Sequence, residues 1–177
     1  MRLPARLTLV LLVLIFALCV YRAATQSIII DEAFMYLHFV APPFPEAMTT
    51  YNTNNHIPVS LLDRATTRLF GLSEFTLRIP PLLCCLVYLF ATRAVVLAVF
   101  SGEWAVITFA LLTLHPLVLD LMVAARGYGP ALAFLMTSLW FLLQRQWPWC
   151  ASSSPANQPG ARISGARSDH RVRSLLE

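Results

Sequence analysis

Residues 79–100 read IPPLLCCLVYLFATRAVVLAVF, an apolar run with Arg93 as its one charged residue. At about 1.5 Å per helical residue, the run is long enough to cross a bilayer core about 30 Å thick. Pro80 and Pro81 are typical of a helix start, where a missing amide proton costs least. Arg93 lies near the far end, where its long side chain can reach the headgroups. The run therefore predicts a transmembrane helix that begins at the prolines.

Three further apolar runs accompany this one, at 7–24, 104–124 and 128–143. A signal peptide is the alternative for the first run. A cut after Ala24 would place Arg22 where a small residue is needed, so an uncleaved anchor is favoured. The sequence predicts an all-α membrane protein: a polytopic helical bundle with about four transmembrane helices in a membrane domain of residues 1–147.

Composition supports a membrane protein and excludes several other classes. Hydrophobic residues make up 58% of the chain and charged residues only 12%. Soluble domains carry about 25% charged residues, so a soluble enzyme of this size is not expected. The net charge of +4 is spread along the chain, and no nucleic-acid partner is predicted. The four cysteines form no Cys-x-x-Cys pair, which favours buried thiols over a zinc site or a disulfide framework.

Arginine placement predicts the topology. Arg2 and Arg6 precede the first run, and a second group of arginines follows the last run. Cytoplasmic segments are enriched in such residues, so both termini are predicted to be cytoplasmic. The loop 25–78 then lies on the outer, periplasmic or lumenal side, as does the junction after the third run. Residues 148–177 are rich in Ser, Pro, Gly and Arg and are predicted to form a disordered cytoplasmic tail.

The outer loop carries an acidic pair directly after the first span. Asp31 and Glu32 precede apolar residues at helical spacing, which predicts a helix lying along the membrane surface. One interpretation is that the pair caps this helix and favours its dipole. The other is that a carboxylate at the membrane interface acts as a general base. The two interpretations are compatible.

The next part of the loop is polar and ends at a second helix. Asn55 and His56 close the tract 49–56, which precedes Pro58 and an amphipathic helix that Gly71 ends. An ordinary loop histidine is the default interpretation of His56. We nevertheless count Asn55 and His56 among the candidate substrate-binding residues.

Asp120 and Arg126 lie where the third run meets the outer side. A carboxylate in an apolar run costs a few kcal/mol unless it is paired or hydrated. A mutual ion pair between these two residues is one interpretation. The alternative is that a second carboxylate and a cation face the Asp31 loop, where a guanidinium would suit a phosphate.

The order of these elements resembles that of the GT-C membrane glycosyltransferases, specifically the group of dolichyl-phosphate-mannose–protein mannosyltransferases and aminoarabinose transferases. The resemblance covers about residues 7–143. The matching pieces, after the first span, are Asp31-Glu32-Ala33 with Tyr36, Asn54-Asn55-His56 with Pro58, Leu69-Phe70-Gly71, Ser73-Glu74-Phe75-Thr76-Leu77-Arg78, His115-Pro116 and Ala124-Ala125-Arg126-Gly127-Tyr128.

The resemblance implies a transferase that moves a sugar from a polyprenyl-phosphate donor to a protein, lipid or glycan acceptor on the outer side of the membrane. Asp31 would be the catalytic base within the acidic pair with Glu32. Arg126 would offset the leaving phosphate, with Asp120 as a second carboxylate. No nucleotide is implied and no metal ligands are assigned, while a divalent cation stays open as a cofactor.

The length of the chain departs from the family, whose members carry more spans and a soluble domain after them. The sequence is therefore expected to be the N-terminal part of such an enzyme, a fragment or truncated form that lacks most of the polyprenyl pocket, and the resemblance leaves its activity in isolation open. The competing hypothesis is a non-enzymatic four-span accessory or assembly protein, in which the acidic pair only caps a helix.

Overall fold

The computed structural model describes residues 3–49 and 56–152, with side chains for 3–46 and 56–144. Over these residues the chain is helical and forms no strand, which confirms the predicted all-α class. The helices are α1 (Leu3–Thr25), α2 (Ile30–Met35), a π-helical turn (Tyr36–Val40), α3 (Phe44–Thr49), α4 (Ile57–Phe70), α5 (Glu74–Val99), α6 (Glu103–Thr113), α7 (Pro116–Val123) and α8 (Tyr128–Ser152).

Two described helices, α1 and α5, are long and apolar enough to cross a membrane. The pair α6 and α7 makes a third if the two are taken as one span. The apolar part of α8, Tyr128–Gln144, is shorter. By length and composition, the described chain therefore has two or three candidate membrane spans, which is consistent with a membrane protein.

The third apolar run is not one straight helix. A bend of 58° separates α6 from α7. His115 adopts an extended conformation there, because the residue before a proline is disfavoured in the helical region. Pro116 then begins α7, a position that needs no amide proton. The prediction of a continuous helix over 104–124 is wrong at this point.

Helix α5 begins six residues before Pro80, so the predicted start at the prolines is also wrong. Ser73 caps the helix: its Oγ accepts a hydrogen bond from the Thr76 amide at 3.1 Å. In return, the Ser73 amide donates to the Thr76 hydroxyl at 2.9 Å. This reciprocal cap satisfies two amide groups at the helix start and fixes it at Glu74.

The apolar core lies among α1, α5, α6, α7 and the first part of α8, within a compact unit of residues Met1–Phe141. Cys19 of α1, Leu89 of α5 and Phe109 of α6 are fully buried in it. The Tyr88 hydroxyl donates to the carbonyl of Leu112 at 2.8 Å and links α5 to α6. This core fixes the ends of α1, α5 and α7 near one another.

The C-terminal unit, Leu142–Glu177, begins within α8. Helix α8 continues to Ser152, so the first five residues of the predicted tail are helical. The rest of that predicted tail, 153–177, lies outside the described residues.

Candidate functional site

An ion pair between Glu32 and Arg78 lies at the end of the bundle where α1 ends and α5 begins. Both side chains are 1% exposed, and Arg78 Nη2 is 2.7 Å from Glu32 Oε2. Arg78 Nε donates to Glu32 Oε1 at 3.1 Å, so the contact is a two-point fork. Such bidentate pairs are the strongest arginine–carboxylate contacts.

The remaining Arg78 donors bind the chain as it leaves α1. Nη1 donates to the carbonyls of Ala23 and Gln26, at 3.1 and 2.6 Å. Nη2 donates to the carbonyl of Ser27 at 3.0 Å. All five N–H groups of the guanidinium are thereby used. Arg78 thus joins α5 to α2 and to the last turn of α1.

Glu32 accepts two backbone hydrogen bonds in addition. The amides of Ile29 and Ala125 donate to it at 3.1 and 2.9 Å. Burial acts to raise the pKa of Glu32, but the hydrogen bonds from Arg78, Ala125 and Ile29 outweigh it and hold the pKa below its usual range. The bond from Ile29 is the return half of a helix cap. Glu32 therefore carries the capping role and is a structural carboxylate in this geometry.

Asp31, the other member of the acidic pair, points elsewhere and pairs with Arg126. The Asp31 side chain is 57% exposed and that of Arg126 29% exposed. Glu32 binds the amide of Ala125, and this contact brings their sequence neighbours close as well: Arg126, next to Ala125, lies beside Asp31, next to Glu32. Two consecutive acidic residues thus bind two consecutive residues of the segment between α7 and α8.

His56 lies beside this ion pair, against the start of α8. Its ring is 5.7 Å from the ring of Tyr128, centroid to centroid, in an edge-on arrangement. A Cβ added at Gly127 would lie 2.4 Å from Cγ of His56, so only glycine allows this approach. A small open pocket of about 50 Å³ is lined by Asp31, Met35, His56, Arg126 and Tyr128. That volume suits a hydroxyl-sized group.

Arg126 also lines a larger cleft of about 440 Å³. Arg22, Asp120 and Arg78 also line it. Asp120 is paired with Arg22 at the end of α1, so the interpreted Asp120–Arg126 pair does not form. In the alternative interpretation both Asp120 and Arg126 face the Asp31 loop; in the structure Arg126 contacts Asp31, while Asp120 contacts Arg22. Three arginines therefore line a cleft large enough for a phosphate group and part of a ligand, and one of them, Arg78, is already fully bonded to Glu32 and backbone carbonyls.

Of the six candidate site residues, the structure brings Asp31, His56 and Arg126 together in one pocket. Glu32 and Asp120 line the adjoining cleft. Asn55 lies outside the described residues. Within the described residues, no group of three or more His, Cys, Asp or Glu could hold a metal ion.

Comparisons with protein-family models, with curated proteins and with solved structures found no match.

Sequence reasoning missed Arg78 and Arg22. Both lie at the edge of an apolar run, where an arginine is ordinarily interpreted as a headgroup anchor. A buried carboxylate needs a partner, but the sequence offers several arginines and no way to choose among them.

Asp63 was missed as well. Its side chain is 1% exposed, and its Oδ1 atom has no hydrogen-bond partner among the described residues. Burial raises the pKa of Asp63 to about 7, and the negative charge of Glu32 adds to this rise. Asp63 lies on an amphipathic helix, where a charged residue is normally assigned to the solvated side.

Proposed function

We propose that this chain carries the catalytic site of a membrane glycosyltransferase of the GT-C type. It would transfer a sugar from a polyprenyl-phosphate donor to a hydroxyl of a protein, lipid or glycan acceptor. The observation that supports this most directly is the exposed Asp31–Arg126 pair, which joins a potential base to a phosphate-binding cation beside the 440 Å³ cleft. Arg22, which is paired with Asp120, and the fully bonded Arg78 are further cations on the same cleft.

The reaction that this pair suits has one proton transfer and one displacement. The acceptor oxygen attacks the anomeric carbon while Asp31 takes the hydroxyl proton. The bond between the anomeric carbon and the phosphate oxygen breaks, and the phosphate leaves with the bonding electrons. Arg126 stabilises the charge on the departing phosphate. Glu32 and Arg78 position both groups by fixing the backbone on either side of them.

The resting ion pair has a mechanistic consequence under this proposal. In the structure the Asp31 carboxylate is occupied by the guanidinium of Arg126. A donor phosphate carries the negative charge that Arg126 prefers, and it can replace Asp31 as the partner of the guanidinium. Donor binding would then free the Asp31 carboxylate to act as a base. Proton transfer from the acceptor hydroxyl would begin only once the donor is bound.

The proposal includes a topology of four membrane crossings: α1, α5, the bent pair α6–α7, and α8. Both termini are cytoplasmic, and the site lies on the outer side. Helix α4 supports an interfacial position for the outer loop. Its polar residues Asp63 and Arg64 are buried against the protein, whereas Leu62, Leu69 and Phe70 are exposed. An outward apolar face of this kind is suited to the headgroup–acyl boundary.

A non-enzymatic accessory protein is the second candidate, and one observation favours it. Each of the acidic residues Asp31, Glu32 and Asp120 is already in an ion pair with an arginine. Such pairs are sufficient to tie helix ends together without any chemistry.

A transfer assay with the full chain distinguishes the two candidates. The chain is reconstituted into vesicles with polyprenyl-phosphate donors carrying a hexose or a pentose, and sugar release is measured. We expect Asp31→Asn to insert normally and to lose about 10²–10⁴ in rate, the usual cost of losing a general base. Arg68→Gln, a charge change on the exposed side of α4, is the control.

The outcomes are separable. Release by Asp31→Asn within a few-fold of the parent would contradict the role of Asp31. No release by the parent, together with normal insertion and no binding of polyprenyl phosphate, would favour the accessory protein.

A further inference from the structure

A groove between α5 and α8 lies far along both helices from the Asp31 site. It has a volume of about 450 Å³. Its walls are mainly apolar and include Leu86, Val87, Phe90 and Trp140, with Thr137 and Arg93 as the polar members. The α5 residues 86–93 extend about 10 Å along the helix axis at 1.5 Å per residue. The groove therefore has the shape and lining of a site for a hydrocarbon chain.

Arg93 lies inside a candidate membrane span and has no counterion among the side chains that the structure describes. Its Nη2 donates to the carbonyl of Ala5 at 3.0 Å, but its Nε is buried and has no hydrogen-bond partner. Within the described side chains, no carboxylate lies at ion-pair distance from it. An unpaired cation within a span is costly, and such residues usually have a partner or a function. An anion is the partner that best satisfies both the charge of Arg93 and its unused donor, and the described side chains do not supply one.

The position of Arg93 indicates where that anion comes from. It lies six residues before the end of α5, or about 9 Å along the axis, within reach of the bilayer surface by its own side chain. Its contact with Ala5 places it beside the first turns of α1, where Arg6 is exposed. This end of the bundle is opposite to the Asp31–Arg126 pair. In the proposed topology it faces the cytoplasmic leaflet, which carries anionic lipids.

We propose that this groove is a binding site for an anionic phospholipid. One acyl chain packs along Val87 and Phe90, and the phosphate accepts hydrogen bonds from Arg93. A lipid with net negative charge fits better than a zwitterionic one, because the described residues beside Arg93 offer no carboxylate to pair with a choline or ethanolamine cation. Trp140 suits the headgroup level, where tryptophans are enriched. The site depends on the membrane topology and not on the transferase activity.

Lipid retention by the purified full chain tests this site. The chain is reconstituted in nanodiscs with equal amounts of phosphatidylglycerol and phosphatidylcholine, extracted gently, and its bound lipids are counted by native mass spectrometry. We expect the parent to retain phosphatidylglycerol over phosphatidylcholine by about tenfold, as one charge-assisted contact provides. Arg93→Gln should abolish this preference, and Arg68→Gln should leave it unchanged.

A second variant separates the apolar wall from the charge. Val87→Trp fills the half-exposed side of the groove and leaves Arg93 in place. It should lower the retention of both lipids, so the proposal stays testable even where Arg93→Gln does not fold. Equal retention of the two lipids by the parent would overturn the proposal, as would dimers that close the groove without lipid. Failure of sugar transfer would leave this result unaffected, which keeps the two proposals distinguishable.

Discussion

Glu32 accepts a hydrogen bond of 2.9 Å from the backbone amide of Ala125, a residue 93 positions further along the chain. This one contact joins α2 to the segment between α7 and α8. It also brings Asp31 and Arg126 within ion-pair distance, since each is the neighbour of one of the two bonded residues. The candidate base and the candidate phosphate ligand are therefore positioned by a carboxylate that is itself buried and fully engaged.

Removing the charge of Glu32 should destabilise the fold strongly. Glu32→Gln leaves the buried guanidinium of Arg78 without a counterion, and breaking a buried pair from one side costs about 3–5 kcal/mol. Asp120→Asn is the matched control, because Asp120 pairs with an arginine but is 61% exposed. Exposed pairs contribute less than about 1 kcal/mol. Unfolding of both variants in detergent, followed by circular dichroism, measures the difference. Equal losses would contradict the structural role of Glu32.

Placing a methyl group at Gly127 should displace the His56 ring. The new Cβ would lie 2.4 Å from Cγ of His56 and 2.6 Å from its Nδ1. Overpacking of this kind typically costs about 1–3 kcal/mol. We expect Gly127→Ala to lower the unfolding temperature. The double variant with His56→Ala should regain most of the loss, because the ring that overlaps the methyl group is gone. A double variant no more stable than Gly127→Ala alone would show that the close approach does not matter.

The stability of the protein should depend on pH through Asp63. Its pKa is raised in the folded state from 3.8 to about 7, so the folded protein holds a proton that the unfolded chain releases. This contribution is fully present below about pH 4 and is lost as the pH rises through 7. Asp63→Asn stays neutral and should not show this loss. Its stability relative to the parent should therefore increase from about pH 4 to about pH 8, by at most about 4 kcal/mol. Parallel pH profiles of the two proteins would refute the assignment.

Arg126 should determine the affinity for a phosphate head. Arg126→Gln removes one of the three arginines that line the cleft, and one charge-assisted hydrogen bond corresponds to about a tenfold change in Kd. Arg126→Lys keeps the charge but loses the fork, so we expect an intermediate value. Titration of the full chain in nanodiscs with polyprenyl phosphate measures the three affinities. Identical values for parent and Gln variant would remove Arg126 from the proposed site.

Much of the helical architecture could be predicted from local pattern. Apolar runs of sufficient length identified α1 and α5, and helical spacing after Asp31 identified α2. Gly71 ends α4 as expected, with a φ of 80° that favours glycine. These features depend on residues close in sequence, so the sequence carries them directly. Pro116 is also a local signal for the bend at His115, but the uninterrupted apolar run favoured the prediction of one continuous helix.

The choice of charged partners could be decided only by the tertiary structure. Asp120 was interpreted together with Arg126 because six positions separate them, yet it pairs with Arg22 across 98 positions. Asp31 and Glu32 are adjacent in sequence, but helical geometry turns them toward different partners, one exposed and one buried. The sequence by itself determined that α1 and α5 are apolar helices long enough to span and that an acidic pair follows the first of them. Which acid is structural and which is exposed depends on burial and on long-range packing, and these exist only once α1, α5 and α7 have come together.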